Sequence, residues 1–107
     1  MRKFILAAAA LLIVAVPVRG DTPTLARYMA DCREAPRICR ADVGSYVLSS
    51  SLNHFACLPK DLSQDGAVDQ MTDWLQKAAD KPTLADTSAD EAKWSAVKAL
   101  WPCASTE

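Results

Sequence analysis

SADEAKWSAVKALWPC, residues 88–103, is the part of the chain that most plainly states its fold. Ser88 followed three residues later by Glu91 forms a capping box, in which the serine caps a helix start and the glutamate reaches back to the serine N–H. Trp94, Val97, Leu100 and Trp101 then recur at the spacing of one helical face, and Pro102 closes the segment. Cys103 follows directly, so the helix delivers a cysteine to its C-terminal end.

Working upstream, the same grammar repeats. Ser63 is a good cap for a helix with Asp65 near its positive end, and Val68, Met71, Thr72, Leu75 and Ala78 make its stripe, flanked by Trp74. Pro82 stops it. Before it, a segment from about residue 38 to residue 53 carries Cys39, Val43, Tyr46 and Val47 on one face, with Leu48, Leu52 and Phe55 continuing the apolar side. Gly44 and Ser45 offer a small face there. A glycine costs about 1 kcal/mol against alanine in a helix interior, which points to close packing at Gly44. The first segment has Thr22 as its cap, Pro23 at the first helical position, and Leu25, Tyr28, Met29 and Cys32 as its stripe, ending before Pro36. No run alternates with period two long enough for a strand. The expected class is all-α: a small disulfide-stapled helical bundle of about four helices.

The chain has 107 residues, half of them hydrophobic, but fifteen of those 54 lie in the first twenty. Arg2 and Lys3 precede an unbroken apolar run over residues 4–16, and Pro17, then Val18-Arg19-Gly20, set up a cleavage site before Asp21. Thirteen helical residues span about 20 Å, short of the ~30 Å hydrocarbon core, so the run is expected to be a cleavable signal and not an anchor. The expected organisation is a signal peptide over residues 1–20 and a mature domain over 21–107, exported to the periplasm and without a membrane segment after cleavage. The mature part holds nine Lys/Arg against thirteen Asp/Glu. A small acidic domain without a basic stripe is unsuited to nucleic acid.

All four cysteines, Cys32, Cys39, Cys57 and Cys103, fall in the mature part. An even number in an exported chain of this size reads as two disulfides. There is no CxxC and one histidine, His54, so no metal or other cofactor is expected, and His54 reads as a surface or capping residue. In an up-down bundle the ends of the second and fourth helices lie on the same side, which favours Cys57 with Cys103 and leaves Cys32 with Cys39 to clip the Pro36 corner. The rival pairing ties Cys39 across the bundle to Cys57 or Cys103.

The chain has no G-x-S-x-G, no glycine-rich phosphate loop and no catalytic constellation, and its acids lie at helix starts and along exposed faces. Asp65, Asp69 and Asp73 share one face of the third helix with Lys77 completing the row: a solvated face, or an acidic contact surface for a basic partner. Trp94 and Trp101 are placed in the core, and Trp74 at its edge, where it could anchor an interface. Binding is expected, not enzymatic chemistry.

His54-Phe55-Ala56-Cys57-Leu58-Pro59, a helix ending in Trp74-Leu75, a proline, and a terminal Ala99-Leu100-Trp101-Pro102-Cys103 together resemble the Rap/Tai family. These are small exported immunity proteins paired with type VI secretion amidase effectors. Cys39 with Tyr46 would be the family's early cysteine and aromatic, and the resemblance covers roughly residues 39–103. Ala56 between the aromatic and Cys57 departs from the pattern, as do Lys81-Pro82-Thr83 in place of a His-Pro-Glu-like turn and a longer loop after Asp86. The resemblance implies inhibition by binding: a stapled scaffold fills the cleft of a cell-wall amidase. The contact surface it suggests comprises the loop over residues 60–66 with Lys60, the face of Asp65, Asp69, Asp73 and Trp74, and the loop over residues 81–88 with Lys81 and Asp86. The chain could also pair with a second copy of itself. The rival reading is a periplasmic acid-stress chaperone, also exported, helical and stapled, which exposes apolar surface when acid protonates its carboxylates.

Overall fold

A computed structural model describes residues 22–104; the expected signal peptide lies outside the described residues. Five helices form: α1 (Leu25–Glu34), α2 (Pro36–Leu52), α3 (Gln64–Ala79), α4 (Pro82–Ala85) and α5 (Ala89–Leu100). Among the described residues the one β feature is an isolated bridge between Thr24 and Ser88. The all-α expectation is met, with a single extra turn, α4, in the loop after Pro82. Its Leu84 packs against the core.

Local chemistry sets the helix starts. The Ser63 hydroxyl accepts from the Gly66 N–H at 2.9 Å, and the Ser88 hydroxyl from the Glu91 N–H at 3.0 Å. The start of α1 differs from the expectation: Thr24, not Thr22, is the cap, accepting from the Arg27 N–H at 3.2 Å. The bridge explains the shift. The Pro23 carbonyl accepts from the Ala89 N–H and the Thr87 carbonyl from the Leu25 N–H, both at 2.8 Å, so Pro23 is held in extended chain outside the helix. α2 begins two residues earlier than expected because Pro36 both ends α1 and occupies the first helical position of α2.

α2 ends in a Schellman motif. The His54 N–H donates to the Ser51 carbonyl at 3.1 Å and the Phe55 N–H to the Ser50 carbonyl at 2.8 Å. His54 itself has φ 64°, the left-handed position that glycine usually fills. His54→Gly is therefore expected to stabilise the fold by about 0.5–1 kcal/mol, measured by denaturant unfolding.

The core is lean. Leu25, Val43, Val47, Met71, Leu75 and Val97 are its largest fully buried side chains, with Trp101 at its base donating its indole N–H to Gln70 at 3.2 Å. α5 presents Ala89, Ala92, Ala96 and Val97 inward, together with Lys93. Trp94, expected in the core, is exposed: it sits one residue round from Lys93, off the alanine stripe that touches the bundle. Leu48, Leu52 and Phe55 are likewise exposed, since the buried face of α2 runs through Cys39, Val43, Val47 and Ser50. The packing reason expected for Gly44 is also weaker than the sequence suggests. Its carbonyl accepts from the Gln64 side chain at 3.0 Å, but an added Cβ would meet Gln64 Nε2 and Val68 Cγ2 in ordinary contact, at 3.4 and 3.6 Å.

The two disulfides are Cys32–Cys39 and Cys57–Cys103, the favoured pairing. The first clips the α1–α2 corner. The second joins the chain after α2 to the chain after α5, where the Cys57 N–H already donates to the Trp101 carbonyl at 3.0 Å.

Candidate functional site

The residues singled out for partner contact are strung along α3 and beyond both its ends. Sixteen helical residues rise about 24 Å, so exposed Lys60 and Asp65 lie far from Lys81 and Asp86, which flank α4 at its two caps. The acidic face is not bare. Arg40 of α2 meets Asp69 at 2.7 Å and Asp65 at 3.7 Å, and Lys77 meets Asp73 at 3.0 Å. The Asp65–Asp69–Asp73 row thus bonds largely within the molecule, and Arg40 is the partner the helical spacing could not show.

Trp74 belongs to a different surface. Half-buried against the core, it lines a hollow of about 340 Å³ with Leu84, Trp94, Glu91 and Lys98. At this rim Trp94 meets Phe55 edge-on, with ring centroids 5.4 Å apart and planes at 85°. Phe55 is 56% and Trp94 37% exposed, and the Lys98 ammonium stands 5.4 Å from the Trp94 ring centre. The Schellman turn throws Phe55 outward, buried Ala56 anchors the next residue, and Cys57 is stapled to the end of the chain. An exposed aromatic pair is thereby held on a rigid base. Sequence periodicity assigns both rings to the interior; the signal that turns Trp94 outward is the helical spacing of Ala89, Ala92 and Ala96, which marks the inward face of α5.

On another side of α5, Lys93 is enclosed, its side chain only 8% exposed. Its ammonium bonds Asp42 at 3.0 Å and approaches Asp90 at 3.6 Å. The Tyr28 and Tyr46 ring centres stand 4.9 and 5.3 Å from it. Tyr28 also donates its hydroxyl to Asp42, so one carboxylate joins α1, α2 and α5. Burial raises the Tyr28 hydroxyl above its ordinary value, and the Asp42 charge and hydrogen bond raise it further. Tyr46 is raised by burial and then by Asp90. For Asp42, burial pushes upward, but the hydrogen bonds from Tyr28 and Lys93 outweigh it and the carboxyl ends below its usual range. In the sequence Tyr28 and Tyr46 are stripe residues and Lys93 belongs to no motif; a lysine within an alanine stripe is the clue.

All four cysteines are bonded, and among the described residues no cluster of His, Cys, Asp or Glu could hold a metal ion. No helix among them is long and apolar enough to cross a membrane. No protein family, curated protein or solved structure matches the chain. The surface best built for a function is therefore judged on its chemistry: the Phe55–Trp94 pair and its hollow suit the capture of an apolar side chain from another protein.

Proposed function

We propose that the chain is an exported, periplasmic immunity-type protein that binds a peptidoglycan amidase effector delivered by type VI secretion and blocks it. The observation that carries binding is the Phe55–Trp94 pair, exposed at the edge of the Trp74 hollow and fixed by the neighbouring disulfide. Aromatic anchors on a preorganised base lose little conformational entropy on docking. The amidase as partner rests on the resemblance over residues 39–103, and export rests on the apolar run over residues 4–16. Trp74 belongs to both the expected and the revised contact surface. Lys60, Lys81 and Asp86 would be peripheral to it.

The test is recovery of partners by the mature protein from periplasmic extract and secreted effectors, read by mass spectrometry. Capture of one cell-wall amidase, with loss of its activity, supports the proposal. Capture of many unrelated clients, or protection of a client from aggregation at pH 2–3, would replace it with the acid-stress chaperone. Phe55→Ser and Trp94→Ser are each expected to weaken amidase binding at least about tenfold, the lower range for an anchor residue. Titration calorimetry against the purified amidase measures it, and an unchanged affinity in both variants would move the contact elsewhere.

A further inference from the structure

We propose that a cavity between α1, α2 and α5 is a seat for an alkylammonium group, and that its occupant is this chain's own N-terminus once cleavage after Gly20 makes Asp21 the first residue. The cavity holds about 520 Å³. Asp31, Asp42 and Asp90 line it against a single cation, Lys93, so the lining carries a net charge of −2. Lys93 is already engaged by Asp42 and Asp90. Arg27, which pairs with Asp31 at 3.3 Å, is not part of the wall. Tyr28, Ile38 and the Cys32–Cys39 disulfide supply an apolar side. A carboxylate rim beside an apolar wall suits a cation on a short hydrocarbon stem.

The occupant follows from where the chain leads. Thr22 and Pro23 line the same cavity, so the described chain begins at its wall. Consecutive Cα atoms are about 3.8 Å apart and the amine is about 1.5 Å further. An N-terminal ammonium on Asp21 can therefore stand no more than about 5 Å from the Cα of Thr22, which is itself part of the lining. In the precursor that nitrogen is a neutral amide. Cleavage turns it into a positive charge at a lining that is short of one, and processing thereby adds a tie between the start of the chain and the Asp42–Lys93 network.

The proposal rests on the cleavage reading, which N-terminal sequencing of the exported protein tests separately: a first residue other than Asp21 removes this occupant. The cavity is tested with a chain that begins at Asp21, compared with the same chain acetylated at its N-terminus. An NMR pH titration is expected to place the α-amino pKa at least about half a unit above the ordinary ~7.7–8.0, and to return it there in Asp31→Asn combined with Asp90→Asn. Ethylammonium chloride is the probe for the seat, and it should shift the Tyr28 and Ile38 signals of the acetylated chain at lower concentration than those of the free one. An unshifted α-amino pKa overturns the proposal. So does an equal response of both chains to ethylammonium, which would make the cavity a site for amines from outside.

Discussion

Replacing Cys57 and Cys103 together by alanine is expected to lower the free energy of unfolding by about 4 kcal/mol, because that disulfide closes a 47-residue loop in the unfolded chain. The same reasoning gives about 2.5 kcal/mol for the eight-residue loop of Cys32–Cys39. The order of the two losses tests the argument more sharply than either size. Chain entropy makes the Cys57–Cys103 staple the larger, whereas dominance of local packing would favour Cys32–Cys39, since Cys39 is buried while both cysteines of the other pair are exposed. Denaturant unfolding of the two double variants, without reductant, measures both. A lean core makes the loss severe: a small domain commonly has only a few kcal/mol of net stability, so the Cys57–Cys103 variant should be largely unfolded at 37 °C. Phe55 lies two residues from Cys57, so binding through the aromatic pair should fail in the same variant.

How much of this could be read beforehand depends on the range of the interaction concerned. Ser63 and Ser88 are recognisable as caps because a serine hydroxyl and an N–H three residues on are set by local geometry alone. The disulfide pairing is legible from topology, since the up-down order puts the ends of α2 and α5 together. Thr24 displaces Thr22 as cap only because the starts of α1 and α5 exchange hydrogen bonds across 62 residues (Leu25 to Thr87) and 66 residues (Pro23 to Ala89), which no local pattern shows. The candidate site fails for a related reason. A helical face of large residues points Trp94 inward, but the neighbours of α5 approach closely enough to admit alanines, and the indole is turned out beside Phe55. The acidic row on α3 is visible as a row, while the pairing of Asp65 and Asp69 with Arg40 depends on how α2 lies against α3.

Lys93 offers the second large effect. Lys93→Ala is expected to cost about 2–3 kcal/mol, and Lys93→Met less than about 1 kcal/mol. Removing one partner of a fully buried ion pair costs about 3–5 kcal/mol, but Asp42 is 48% exposed and water can re-solvate it, so the full penalty does not arise here. Both variants lose the charge and with it two cation–π contacts worth about 0.5–1 kcal/mol each at partly exposed sites, which sulfur–ring contacts of methionine offset in part; alanine loses the volume of the buried lysine stem as well. Methionine keeps most of that volume. Equal losses in the two variants would assign the effect to charge alone. The pH dependence separates the contributions again. The Asp42 carboxyl is held below its unfolded value, so its stabilisation is fully present above about pH 4 and is lost as the pH falls through the lowered folded value. Tyr28 is raised, so its contribution is intact below about pH 10 and is lost as the pH rises toward the folded value. Lys93→Met removes one of the two groups that hold Asp42 down, and should flatten the acid limb of a thermal-unfolding profile while leaving most of its alkaline limb. An acid limb as steep as that of the unaltered protein would mean that carboxylates other than Asp42 drive the acid transition.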